Sequence, residues 1–409
     1  MKSASLIIFC LALLALPLEQ YNFFLGIMNL SEAFLICSIA LALTSRYVGF
    51  GIQSDGGLST YILIICALLL VFACAEIAVL VNSSVMDRYA PPAFQQLILR
   101  ATGIGILVWC ALVRLKPSGN ALVAFALLAS GLIASLAIIA DSGGLISLEG
   151  SRRAASRIGV LSPFGVSATG LMSTKGSIAL LLAAASLCAY ALYRMRRLNG
   201  VAALGTVAIL VLGALASGSR TPLLALLVLP LGLALPRLVN DLSWSTAAVA
   251  AACAALVALM TTGLGEALWG QFFLREGREP RTDLFLAAWR TIQDHPVFGV
   301  GPHYTPFASF VGERVFWNGS HTIWLQLPLY GGVLGWLLGL GLLAGLPFGA
   351  YLARRHKANI FPTAMIVLLL VSSFYQPLQS AFTAWCAIWG ATLLLARAEI
   401  DGGLDARRR

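Results

Sequence analysis

The sequence predicts an all-α, polytopic integral membrane protein of about twelve transmembrane helices. Three observations carry that expectation. Of the 409 residues, 59% are hydrophobic and only 11% charged, whereas about a quarter of a soluble domain is charged. The charges cluster and leave apolar runs of the length that crosses a bilayer as a helix. Those runs show no strict alternation of apolar and polar residues, which argues against a transmembrane barrel.

The expected spans lie near 4–18, 24–43, 58–82, 94–113, 120–140, 177–193, 201–216, 221–236, 244–263, 322–352, 360–375 and 378–396. The first, MKSASLIIFCLALLALPLEQ, mimics a signal peptide but lacks a small-x-small cleavage site, so it is read as an uncleaved helix. Orientation follows from the short loops. Starting the chain in the cytoplasm puts RMRRLNG, ARRHKAN and the terminal Arg407, Arg408 and Arg409 on that side, as the positive-inside bias requires. Short loops on the opposite side, such as PLEQYNFF and YQPLQS, are free of basic residues. That bias and anionic lipid headgroups account for the net charge of +10 without a nucleic-acid partner. The eight cysteines all fall in apolar runs with no CxxC pair, so neither a disulfide frame nor a zinc site is expected.

Two long loops, about 141–176 and 264–321, face the side opposite the cytoplasm. The chain thus divides into membrane helices over 1–263, a loop with short helices over 264–321, and membrane helices with a basic tail over 322–409. The second loop mixes Trp269, Phe272, Phe273, Phe307, Phe310, Phe316 and Trp317 with charges and glycines. Such aromatics favour the membrane–water interface, so the loop is expected to form a compact cap on the bilayer. Within it, RTDLFLAAWRTIQDHP spaces Leu284, Phe285, Ala288, Trp289 and Ile292 as a helix that Pro296 would end.

One stretch stands out. Residues 201–236 carry a single charge, Arg220, near their centre. As one helix they would run ~54 Å at 1.5 Å per residue, far beyond the ~30 Å hydrocarbon core. SGSRTP is therefore a turn, with Gly218 flexible, Thr221 able to cap and Pro222 suited to a first helical turn. An arginine beside a helix N-terminus is either an anion site, with phosphate a natural guest, or a side chain that snorkels or pairs with a carboxylate.

A second feature closes the late loop: FWNGSHTIWLQLPLYGGVLGW. Ser320 can cap the next helix and place His321 in its first turn, where the helix dipole disfavours imidazolium. A neutral histidine there can take a proton, or simply hold structural hydrogen bonds.

In order, these motifs are GSRTP, then Arg281-x₇-Trp289-x₅-HPVFGVGP, then SHTIWLQLPLYGGVLG opening a helix. The set, over about 210–340, resembles the O-antigen ligase and Wzy-type polymerase superfamily of bacterial envelope glycosyltransferases. The resemblance implies a GT-C-like membrane fold with a periplasmic site, in a multi-pass protein of the bacterial inner membrane with both termini cytoplasmic. It implies an undecaprenyl-diphosphate-linked glycan donor, a lipid A-core or glycan acceptor, and no metal or other cofactor. By motif, Arg220 and Arg281 would hold the diphosphate and His321 would act as general base in an inverting displacement.

Arg278, Arg275 and Arg290 add either to the diphosphate clamp or to a solvated surface among Glu276, Glu279, Asp283 and Asp294. His303 is a candidate contact to acceptor sugar. Arg152, Arg153 and Arg157 belong either to glycolipid recruitment or to a basic surface. Glu32 and Glu76, inside apolar spans, are candidate polar sites. Thr322 stands where relatives often carry Asn, and the late loop is short for a lipopolysaccharide ligase. The choice between ligase and polymerase therefore stays open. A lipid-linked sugar transporter is a third reading, disfavoured because the key charges gather on one face.

Overall fold

The computed structural model describes residues 2–18, 22–24, 28–44, 56–82, 93–148, 154–155, 166–172, 174–240, 280–301, 308–311, 314–317, 322–374, 381–402 and 404. Among the described residues the chain runs through α1 (Lys2–Ala15), α2 (Leu30–Thr44), α3 (Leu58–Asn82), α4 (Ala93–Leu112), α5 (Pro117–Ser142) and α6 (Lys175–Arg194). It continues through α7 (Gly200–Ala216), α8 (Arg220–Asn240), α9 (Pro280–Asp294), α10 (Ile323–His356), α11 (Ile360–Ser372) and α12 (Phe382–Ile400). Eleven of the expected spans fall on these helices, and α9 is the helix expected inside the late loop. The expected span 244–263 lies outside the described residues.

Four of the helices, α3, α5, α6 and α10, are long and apolar enough to cross a membrane, and shorter apolar helices accompany them. Antiparallel ribbons join the helical frame: β1 (Asn22–Phe24) with β2 (Met28–Asn29), β3 (Ala154–Ala155) with β4 (Val166–Ser167), and β5 (Ala308–Val311) with β6 (Arg314–Trp317). The first ribbon takes up the start of the expected span 24–43, so α2 begins only at Leu30.

Local chemistry sets several helix starts. The Asn199 side chain accepts from the Ala202 N–H at 2.7 Å and Thr174 accepts from Ser177 N–H at 3.2 Å, both as N-caps. Pro117 opens α5, where its missing N–H costs nothing. Asn29 and Glu32 bond each other's backbone N–H at 2.9 Å in a capping box for α2. Glu32 also accepts from Thr383 at 3.1 Å. Glu76 pairs with Arg100 of α4 at 3.0 Å, both buried. The two acidic residues flagged in the sequence thus have structural partners.

Successive helices alternate in direction, so the bundle has two ends. At one, Arg194 approaches Glu399 at 3.8 Å, Arg114 meets Asp401 at 3.0 Å, and α1 meets α2 through Ser5 and Ser38. At the other, Ser142 Oγ donates to Ala216 O at 2.9 Å and Trp324 Nε1 donates to Ser373 Oγ at 2.9 Å. The fully buried Trp385, Trp389, Tyr330, Phe9, Phe72 and Phe361 lie in one continuous apolar core. Helices α6 and α12 run through its middle and α7 lies at its edge, with Val201 84% and Leu204 73% exposed. Outward-facing Leu, Ile and Val side chains of this kind suit a lipid surface. Five cysteines (Cys10, Cys66, Cys110, Cys188 and Cys386) are buried and free. Cys37 and Cys74 are also free but exposed, contrary to a uniformly buried set. Cys253 lies outside the described residues.

Candidate functional site

The stretch 201–236 folds as the expected hairpin. Helix α7 ends at Ala216, Gly218 turns with a positive φ of 58°, and α8 starts at Arg220. A Cβ at a positive φ is strained, so glycine suits this position. The turn is tied from two sides: Ser142 bonds Ala216 O, and so does the Ala168 N–H at 3.4 Å. Ser217 Oγ donates to Ala214 O at 2.7 Å and accepts from the Ser219 N–H at 3.3 Å. Arg220, half-buried, therefore occupies the first turn of α8 itself, and Thr221 sits inside the helix rather than capping it. Residue 220 thus lies at the positive end of the α8 dipole.

An apolar groove of about 500 Å³ runs between α6, α7 and α8, reaching Tyr193 and Gly200 at the end of the hairpin opposite this turn. Tyr190, Val207, Leu226, Leu229 and Leu233 line it. On α8 it starts six residues past Arg220, about 9 Å along the helix at 1.5 Å per residue.

The second element is a break in α10. Gly332 has φ 54° and ψ −127° inside the helix, and Pro328 just before it has no N–H to give. The break leaves a short leading piece and a continuation, Val333–His356, of 24 residues. At 1.5 Å per residue the continuation is ~36 Å long, enough by itself to cross a bilayer. The over-long apolar run 322–352 is thus two helical pieces.

The loop after α9 fills the break. Val300 N–H donates to Leu329 O at 2.8 Å, Gly301 N–H to Tyr330 O at 3.2 Å, and Val333 N–H to Val297 O at 3.1 Å. Any Cβ at Gly299 (φ 68°) would stand 2.5 Å from the Tyr330 carbonyl carbon, and one at Gly332 would collide with Val297 O. The glycines of VFGVG and YGG are therefore what lets two stretches of backbone meet. Periodicity alone could not show this pairing, although both motifs stand out in the sequence.

Helix α9 packs on α10 with Ala288 and Ile292 buried, and Trp289 meets Trp336 edge-on at 6.4 Å. Phe285 and Trp289, on the same helix, are 37% and 44% exposed. Phe298 beyond them is 73% exposed, which leaves an aromatic edge beside the outward face of α10. Arg281 lies in the first turn of α9, and Arg290 is exposed on the same helix. Helix α8, which Arg220 begins, also packs on α10. The two arginine-bearing helices thus share one neighbour.

The N-cap of α10 is Thr322, with φ −148° and ψ 137°, not Ser320. His321 accordingly precedes the cap instead of lying in the first turn, where the dipole acts most strongly. The side chains of Ser320 and His321 lie outside the described residues, as do Arg278, Arg275, His303, Arg152, Arg153 and Arg157. One residue was missed by the sequence reading. Gln326, one turn after Thr322, is fully buried, and neither amide atom has a partner among the described residues. The signal was a lone polar residue inside IWLQLPL. Among the described residues no three His, Cys, Asp or Glu side chains gather in a metal-binding group.

A protein-family model described as O-antigen ligase matches residues 205–340. That range holds the α7–α8 hairpin, α9, the docked loop and the broken part of α10. No curated protein matches the chain.

Proposed function

We propose, from the O-antigen ligase family model that matches residues 205–340, that the protein is a metal-independent inverting glycosyltransferase of the bacterial inner membrane. It moves a glycan from undecaprenyl diphosphate to a hydroxyl of lipid A-core at the periplasmic face. Both termini are cytoplasmic, residues 264–321 form the periplasmic loop, and membrane helices flank it on either side.

The observation that carries this reading is the hairpin turn. It sets Arg220 at a helix N-terminus, about two turns along α8 from an apolar groove that the same hairpin lines toward its other end. A polyprenyl diphosphate has matching parts, a dianionic head for guanidinium and helix N–H groups and a hydrocarbon chain for the groove. Arg281 opens a helix packed on the same neighbour and supplies the second cation. Arg278 and exposed Arg290 add charge around the head, and His303 contacts acceptor sugar.

The chemistry balances within these residues. The acceptor oxygen attacks the anomeric carbon from the side opposite the diphosphate, and His321 takes the hydroxyl proton. The bond from that carbon to the phosphate oxygen breaks, and its electron pair leaves with the diphosphate. Fixed arginines stabilise the charge that grows there, a preorganised electrostatic effect.

Purified protein given an undecaprenyl-diphosphate glycan should release undecaprenyl diphosphate only when acceptor is present, and EDTA should not slow it. Lipid A-core should serve as acceptor. Turnover with a second lipid-linked repeat unit in its place would make the enzyme a polymerase. Release with neither acceptor would remove the transferase reading altogether.

A further inference from the structure

Gln326 sits in the short leading piece of α10 that the break at Gly332 sets apart. Its neighbours in the chain are Ile323, Trp324, Leu325, Leu327, Pro328 and Leu329, all apolar. It is fully buried, and both Oε1 and Nε2 lack a partner among the described residues. A buried amide without partners is unfavourable, and leucine would fill nearly the same space without that penalty. Packing therefore gives no reason for glutamine here.

Its face of the helix can be fixed from its neighbours. Trp324 bonds Ser373 at the end of α11, and Gly331 lies against Phe72 of α3. Seven residues apart, these two share a face of the helix, and position 326 falls on the opposite one. Thr322 and Tyr330, four residues to either side, share that opposite face with Gln326, and both are buried. The carbonyls freed near the break do not occupy the amide, because Leu329 O and Tyr330 O accept from Val300 and Gly301.

We infer that Gln326 binds a hydroxyl of the transferred glycan, a reading that rests on the glycosyltransferase assignment above. The amide offers one acceptor and two donors. Diphosphate oxygens accept only and would leave Oε1 unpaired, whereas a sugar hydroxyl both donates and accepts. A buried polar group that pairs only with substrate rejects analogues lacking that hydroxyl. Gln326 is then a specificity determinant for the sugar.

The test compares wild type with Gln326→Leu and Gln326→Met, using thermal unfolding of the full-length protein in detergent with two probes, free repeat-unit oligosaccharide and inorganic diphosphate. Without ligand, at least one variant should unfold at the wild-type temperature or above, since each removes an unpaired amide. The oligosaccharide should raise the unfolding temperature of wild type but not of the variants, and diphosphate should raise all of them equally. In turnover, kcat/KM for the natural donor should fall about tenfold or more. A donor lacking the contacted hydroxyl should react equally with wild type and variant.

If both variants unfold at lower temperature, the amide has a structural partner and the inference fails. Loss of the diphosphate shift with the oligosaccharide shift retained also overturns it, as do variants that match wild type in every assay. A wild type that binds oligosaccharide yet releases no lipid diphosphate removes the transferase reading and leaves this site standing as a glycan-binding one.

Discussion

The end of α12 and the start of α10 handle polar groups in opposite ways. Near its C-terminus α12 carries two buried charges of opposite sign, and each finishes another helix. Arg397, 8% exposed, donates to Val113 O at 2.7 Å, to Ala111 O and to Ser59, so it covers the last carbonyls of α4. Glu399, two residues on, accepts from Asn359 N–H and Ile360 N–H at 2.8 Å, so it covers the first amides of α11. Both signs match the helix dipoles they face. The start of α10 has none of this closure. Its N-cap Thr322 makes no side-chain cap bond, its helix breaks at Gly332, and Gln326 stays unpaired among the described residues. One region uses its polar groups to close the bundle, and the other leaves the buried Gln326 amide without a partner among the described residues.

The contrast can be broken at either region. His321→Ala should have the largest effect, a fall in kcat of ~10²–10⁴ as expected for a general base, with unfolding temperature unchanged. Undiminished release of undecaprenyl diphosphate by that variant would take the base away from His321. Arg220→Lys keeps the charge but loses the planar fork. It should cost ~10–100-fold in kcat/KM, read as a weaker response to donor concentration, and wild-type kinetics would argue against bidentate binding.

Arg397→Leu should act on the other axis. It strands the carbonyl of Val113, while Ala111 O keeps its bond from Ser59 Oγ at 3.0 Å. The change should cost about 1–3 kcal/mol of stability, and protein that remains folded keeps its kcat. A variant equally stable but slower would tie the two regions together and erase the contrast. Gly332→Ala forces a side chain into a left-handed position against Val297, at ~1–3 kcal/mol of strain. It should free the 297–301 loop, detected as faster proteolysis there. The smallest effect belongs to Arg114→Ala. Its partner Asp401 is at 3.0 Å, but the Arg114 side chain is 59% exposed, so the change should stay within ~1 kcal/mol and move neither unfolding nor turnover.

Much of this arrangement could be read in the sequence. Apolar runs bounded by basic loops located the helices because lipid demands both features. The hairpin at Arg220 followed from simple length, since a thirty-six-residue stretch with a single charge is too long to cross once as one helix. What escaped depended on distant partners. Glu76 and Arg100 meet across two helices, and nothing periodic links them. The break in α10 hid inside a continuous apolar run, with Pro328 and the Gly331–Gly332 pair as its local marks. The N-cap moved from Ser320 to Thr322 because either hydroxyl residue can begin a helix, and local chemistry does not choose between them.

The backbone pairing across that break has a consequence for hydrogen exchange. Amides in a surface loop ordinarily exchange within its local fluctuations, far faster than those of a helix. The amides of Val300 and Gly301 are bonded to carbonyls of α10, and Val333 returns the bond to Val297. These loop amides open only when the helix opens. By sequence they belong to a connector, but in protection they should belong to the same cooperative unit as α10.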